Sequence, residues 1–276
     1  MYFESEIITS RNNHFVKWVA SLADKKKRKE HGYFMAEGVK LTKEAFEAGL
    51  PIDYCIISEN KKDASASFLF DYQNDNRFKN CKVITVSENV FEKISTEKAP
   101  QGVISVIKHL DFFRDMDIIY KEEFFLKPEE KAIFLFSVRD PSNLGAVIRS
   151  SVAFGTDHVI LSKDCADIYN PKTVRSAMGS LFRVKVTTVN DVPSFIKAAQ
   201  ESSRRVFAAE LSDGAMSLAQ INLKPDDIVM IGNEGHGIEP EISSLCDGSV
   251  YIPISKKTES LNASVAAAIF MWEQSK

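Results

Sequence analysis

The sequence predicts an α/β protein of two domains: a small α/β domain first, then a larger one built on a mostly parallel sheet. Three observations carry this expectation. The chain has 276 residues, and roughly 150 residues per domain gives about two domains. Hydrophobic residues make up 44% and charged residues 26%, a balance that builds a core and excludes disorder throughout. From Lys131 onward, short apolar runs alternate with helical segments, the pattern of a parallel sheet covered on both faces.

In chain order, residues 7–50 read as mostly helical. Phe15, Trp18, Val19 and Leu22 recur at helical spacing, 24–30 is a charge run, and 39–50 is a second amphipathic helix. Residues 54–57 and 83–86 read as buried strands with 68–80 between them, and 101–107 as a third strand. The first domain therefore spans 1–108 and the second 109–276, with 109–130 as a connector. Residues 111–130 are acidic and aromatic with few turn formers, and read as helix or connector. Beyond them the expected strands are 132–138, 158–161, 183–187, 206–210, 228–231 and 250–254. The expected helices are 143–154, 171–181, 192–201, 240–245 and 261–273. Gly155 can end the first of these, and Asn170-Pro171 pairs a cap with proline at the first helical position. No internal repeat or low-complexity tract is present.

Composition excludes several classes. Lys+Arg is 35 against Asp+Glu 38, a net charge of −3, so a polyanion would bind a local patch rather than the whole molecule. No apolar run reaches the ~18 residues of a membrane span. Glu4 and Glu6 stand where a signal peptide carries bases. Cys55, Cys81, Cys165 and Cys246 are far apart with no C-x-x-C pair, which argues against a zinc ribbon or disulfide framework. A cytoplasmic protein is expected. The P-loop, H-E-x-x-H, G-x-S-x-G and G-x-G-x-x-G signatures are missing. The five histidines lack ligand spacing, so no metal is expected.

Polar residues and glycines instead gather at the ends of three expected strands, where open α/β sheets bind ligands. The first cluster is Asn143-x-Gly145-x-x-x-Arg149. Gly145 and Arg149 are four apart and share a helix face, and the guanidinium fork suits phosphate. The second is Gly232-Asn233-Glu234-Gly235-His236-Gly237, where three glycines allow close backbone approach to a ligand. The third is Ile252-Pro253-Ile254 followed by Thr258-Glu259-Ser260-Leu261-Asn262. Taken singly, a solvated arginine, an ordinary glycine loop and a helix cap account for each cluster. Together, at strand ends of one sheet, they are more specific.

These residues resemble the SpoU (TrmH-like) family of RNA ribose 2′-O-methyltransferases, in the SPOUT superfamily. Its three motifs occur in order as Asn143-Leu144-Gly145 to Arg149, Ile231-Gly232-Asn233-Glu234-Gly235-His236-Gly237, and Ile252-Pro253-Ile254 to Ser260-Leu261-Asn262. The run Asn170 to Gly179 is also similar, as are Phe34-x-x-Glu37-Gly38 and Gln101-Gly102-Val103 toward the N-terminus. Ile254 and Ile238 depart from the family's common methionine and leucine by conservative apolar swaps. Lys257 replaces a small residue.

The resemblance implies a C-terminal α/β trefoil-knot domain, although chains generally avoid knots, preceded by a small substrate-binding domain similar to L30e-type ribosomal proteins. It implies S-adenosyl-L-methionine as cofactor, lined by Ala209, Gly232, Ile252 and Leu261. Catalysis falls to Arg149 with Asn143, Glu234, Ser260 and Asn262. Family proposals make the arginine a base, whereas its chemistry suits a phosphate clamp. A homodimer and an RNA substrate follow, with ribosomal RNA favoured over transfer RNA. A non-catalytic RNA-binding protein of the same fold is the alternative. RNA contacts are expected from Arg11, Asn13, Lys26, Lys27, Arg28, Lys172, Arg175 and Arg183. The charge is divided accordingly: 137–185 carry seven basic and four acidic residues, and the first forty carry eight and five.

Overall fold

A computed structural model of the chain describes residues 1–61, 67–111, 113–116, 124–233 and 235–276. Contacts group the chain into two units, Met1–Leu110 with Asp167–Phe182, and Asp111–Ala166 with Arg183–Lys276. The segment Asp167–Phe182, read from the sequence as part of the second domain, thus counts with the first unit.

The first unit runs β1 (Tyr2–Phe3), α1 (His14–Ser21), α2 (Lys25–His31), β2 (Tyr33–Glu37), α3 (Val39–Glu47), β3 (Ile52–Ser58), β4 (Lys82–Val86), α4 (Glu88–Ile94) and β5 (Val103–Lys108). Its sheet has the order β1-β4-β3-β5-β2. β1, β4 and β3 pair in parallel, and β5 runs antiparallel to β3 and β2. Val19 and Leu22 of the residues at helical spacing join Val16 in the core with Met35, Ile56, Ile84 and Ile104 of the sheet, and Phe15 and Trp18 pack against that cluster half-buried.

The helical reading of 7–50 is corrected at β2. Phe34, Met35 and Ala36 are all buried, so this five-residue strand shows no polar alternation. It lies between Gly32, the left-handed cap of α2, and Gly38, at φ 109°. The segment Asp167–Phe182 contributes α6 (Pro171–Ala177) and a 3₁₀ turn, Met178–Phe182; Met178 at φ 52° ends the helix early. Tyr169 stacks on His109 with ring centroids 4.2 Å apart and accepts a hydrogen bond from the Leu110 amide at 2.7 Å. The Gly179 amide donates to Glu44 at 2.8 Å. A Cβ there would sit 2.5 Å from the same carboxylate, so a larger residue would have to displace Glu44.

The second unit runs β6 (Phe113–Met116), β7 (Ala132–Leu135), α5 (Pro141–Ala153), β8 (His158–Ser162), β9 (Lys185–Val189), α7 (Val192–Glu201), β10 (Val206–Ala209), β11 (Met216–Ser217), β12 (Ile228–Ile231), α8 (Pro240–Ser243), β13 (Gly248–Tyr251) and α9 (Ala263–Gln274). The sheet order is β11-β13-β10-β12-β7-β8-β9-β6, and these pairings are parallel. Ala132, Phe134, Ile228 and Met230 of the central strands join Phe195 and Ile196 of α7 in one core cluster. The helix-or-connector reading of 111–130 is corrected at 113–116, which form an edge strand on β9. Its strand state comes from the partner, since an edge strand needs no strong pattern of its own. Among the described residues, no helix is long and apolar enough to cross a membrane.

Candidate active site

Three neighbouring strands bring the cofactor candidates to one sheet edge. Ala209, the last residue of β10, is in register with Ile231 of β12 on one side and Val250 of β13 on the other. Gly232 and Ile252 follow directly at those two ends, and all three are half-buried. Leu261, also half-buried, precedes the cap of α9. On the far side of β12 lies β7, with Leu135 in register with Ile231 and the Phe136 amide donating to the Ile231 carbonyl at 2.8 Å. The chain leaving β7 therefore enters α5 at the next strand end.

Asp140 caps α5, accepting from the Ser142 and Asn143 amides at 2.7 and 3.0 Å, with Pro141 in the first turn. This local chemistry sets the start of the helix. Gly145 is buried, and Arg149 one turn later is exposed. The Asn143 side-chain carbonyl accepts from the Asn262 amide group at 3.0 Å, so the first and third clusters meet across 119 residues of chain. Asn262 also caps α9, accepting from the Ser264 amide at 2.9 Å. Neither Ser260 nor Thr258 caps this helix, and Thr258 donates instead to the Ser260 carbonyl. Ser260 is exposed.

The glycine loop is drawn tight. The Asn233 and Gly237 backbones bond to each other in both directions, at 3.1 and 2.9 Å. A Cβ on Gly232 would lie 2.5 Å from the Gly237 carbonyl carbon and 2.8 Å from the Ile238 nitrogen. Backbone cannot yield that distance, so only glycine fits. Glu234 lies outside the described residues. Asn233, not singled out from the sequence, holds the loop from within: its side-chain oxygen accepts from the Gly235 amide at 2.8 Å. The one sequence signal was an asparagine beside glycines, a turn-former pattern. No group of three or more His, Cys, Asp or Glu that could hold a metal occurs among the described residues.

The expected RNA contacts divide. Lys26 is exposed, and Lys27 pairs with Glu30 at 2.8 Å, a hydrogen bond that lowers the Glu30 pKa. Arg11 is exposed and donates to Asn89 at 3.0 Å. Asn13 caps α1, accepting from the Phe15 amide at 2.8 Å. Lys172 and Arg175 are exposed on α6 in the first unit, where Arg175 pairs with Glu97. Arg183 is exposed just before β9.

Arg28 is corrected: only 2% of its side chain is exposed, and it cannot be a surface contact in this structure. Its guanidinium grips Asp167 at 2.5 and 3.1 Å and the Leu22 and Ala23 carbonyls at 2.7 Å each. The helical turn points this one member of the basic run inward.

Residues 130–272 match the SpoU rRNA Methylase family, and residues 13–105 match the MRM3-like substrate binding domain. The chain is 29% identical over 265 residues to the 23S rRNA (guanosine(2553)-2′-O)-methyltransferase RlmP of Bacillus subtilis, covering 96% of this chain and 97% of that one. It is 28% identical over 273 residues to the 23S rRNA (uridine(2479)-2′-O)-methyltransferase of Streptomyces viridochromogenes, covering 96% and 90%. The crystal structure of an AdoMet-bound rRNA methyltransferase from Sinorhizobium meliloti aligns with a TM-score of 0.79 and 28% identity, over 98% and 97% of the two chains.

Proposed function

Because the chain belongs to the SpoU rRNA Methylase family, we propose that it transfers a methyl group from S-adenosyl-L-methionine to a ribose 2′-hydroxyl of ribosomal RNA. The observation that carries this reading is the Asn143–Asn262 bond at 3.0 Å, which ties two distant motif segments together beside the glycine loop.

The cofactor candidates fit the group. Ala209, Gly232, Ile252 and Leu261 are half-buried and apolar or without a side chain. Such a lining suits a flat purine whose polar edge is read by backbone groups. S-adenosyl-L-methionine, when bound, supplies an electrophilic methyl on a cationic sulfonium. The protein's own residues must hold the ribose in line and stabilise charge as the alcohol loses its proton. Arg149 suits the second task. It is exposed and its side chain makes no hydrogen bond or ion pair among the described residues. A guanidinium stays protonated in proteins, so it clamps the neighbouring phosphate and steadies the developing oxyanion rather than accepting a proton. Asn143 and Asn262, locked to each other, position the ribose. The exposed Ser260 hydroxyl and Glu234 complete that set.

Lys26, Lys27, Arg11, Lys172, Arg175 and Arg183 form the RNA-facing cations. The reading also includes the trefoil knot, a homodimer and a cytoplasmic location. Dimerisation is supported by the exposed Val265 and Trp272 on α9, large apolar groups on a helix face that a second copy would cover. The deciding experiment incubates purified protein and S-adenosyl-L-methionine with ribosomal and transfer RNA from cells lacking the gene. Nuclease digestion and mass spectrometry should find a 2′-O-methylated nucleoside in the ribosomal sample. If neither RNA gains a methyl group, the reading fails.

A further inference from the structure

The glycine loop is braced from the ends of β7 and β8. Ser137, just after β7, has φ 56°, a left-handed conformation that a non-glycine residue keeps only when its surroundings impose it. Here they do. The Ser137 amide donates to the Ser162 hydroxyl at 2.8 Å, and the Ser137 hydroxyl donates to Asp164. Asp164 also accepts from the Ser162 hydroxyl at 2.7 Å and from Arg139 at 3.1 Å. Burial pushes the Asp164 pKa up, but these donors outweigh it and hold the carboxyl below its ordinary value.

So held, Ser137 aims its carbonyl at the loop, where it accepts from the Asn233 amide group at 2.8 Å. The other end of that side chain accepts from the Gly235 and His236 amides at 2.8 and 3.3 Å. One line of hydrogen bonds therefore runs from the end of β8, through the end of β7, into the loop after β12.

We propose that Asp164 and Ser137 are positioning residues that act through Asn233 to hold the glycine loop in the shape that binds S-adenosyl-L-methionine. The inference rests on the methyl-transfer reading. Its logic is conformational: Asp164 matters because serine must be forced to φ 56°, whereas glycine adopts that angle freely.

The test compares variants by calorimetry with S-adenosyl-L-methionine, by steady-state kinetics, and by amide hydrogen exchange at Gly235 and His236 in the ligand-free protein. Asn233→Asp keeps the acceptor for the loop amides but sets a carboxylate oxygen against the Ser137 carbonyl. Asn233→Asp and Asp164→Ala should each raise the cofactor Kd and KM about tenfold or more, with kcat changed by less than about threefold. Both should also speed exchange at Gly235 and His236. With Ser137→Gly already present, Asp164→Ala should add no further change. If Asp164→Ala does not fold alone, Asn233→Asp and the double variant Ser137→Gly, Asp164→Ala carry the test. Should the wild type bind cofactor while Asn233→Asp binds equally well, the positioning role is refuted and the methyl-transfer reading stands. A wild type that binds no cofactor at millimolar ligand refutes both.

Discussion

Replacing Arg28 with methionine tests how the first unit is held together. Arg28 is 2% exposed and its partner Asp167 14% exposed. The substitution keeps most of the apolar stem but removes two hydrogen bonds to the carboxylate and one to each of the Leu22 and Ala23 carbonyls. Asp167 retains the Tyr169 amide at 3.0 Å but loses its counter-charge in a mostly dry site. Breaking a buried pair from one side costs about 3–5 kcal/mol. Since Asp167 keeps some water and one donor, the lower end, about 3 kcal/mol, is expected. Asp167→Asn should cost at least as much, because Arg28 cannot shed its charge. The double variant should show a coupling of about 1–3 kcal/mol.

The assay is urea unfolding followed by fluorescence in a Trp272→Phe background, which leaves Trp18 on α1 as the one reporter of two tryptophans. Added salt should change the result little, since buried pairs are poorly screened. A loss below about 0.5 kcal/mol, within the range of ordinary surface substitutions, together with weakened RNA binding would refute the reasoning and return Arg28 to the surface.

Other outcomes follow from the same geometry. Gly232→Ala should destabilise by about 1–3 kcal/mol and abolish cofactor binding in calorimetry, while Gly235→Ala, whose added Cβ meets only the Asn233 side chain at 3.3 Å, should bind. Arg149→Ala should leave urea stability within about 0.5 kcal/mol yet lose nearly all methyl transfer; wild-type turnover would remove the residue from the site. Lys26→Glu with Lys27→Glu should lower the salt slope of RNA binding by about one for each phosphate that is no longer neutralised. An unchanged slope would make that helix face merely solvated. Burial pushes the Cys165 thiol up to about 11 and Cys81 and Cys246 up to about 12. The native protein should therefore resist iodoacetamide near neutral pH until denaturant exposes the thiols, as read by intact mass.

Much of the candidate site's framework is legible in the sequence. The apolar runs of β7 and β12 announce strands buried on both faces, and the polar clusters that follow them mark the carboxyl ends of those strands. Asp140-Pro141 and Asn262 also act locally as helix caps. The β2 strand was hidden because five residues between two glycines, the middle three all buried, carry no periodicity. The brace on the glycine loop was hidden for another reason: Ser137, Asp164 and Asn233 are unremarkable residues singly, and only their meeting gives them a task.

What the sequence determined by itself was local: where strands and helices begin, which residues carry charge, and which glycines permit a close turn. The tertiary structure alone decided what depends on pairing across long separations. It placed Ala209 between Ile231 and Val250, joined Asn143 to Asn262, and gathered Asp167–Phe182 into the first unit. It also turned Arg28 from an expected RNA contact into a buried latch. Periodicity tells a helix which face is apolar, but not which surface that face will cover. The latter is decided by the summed packing of the whole chain.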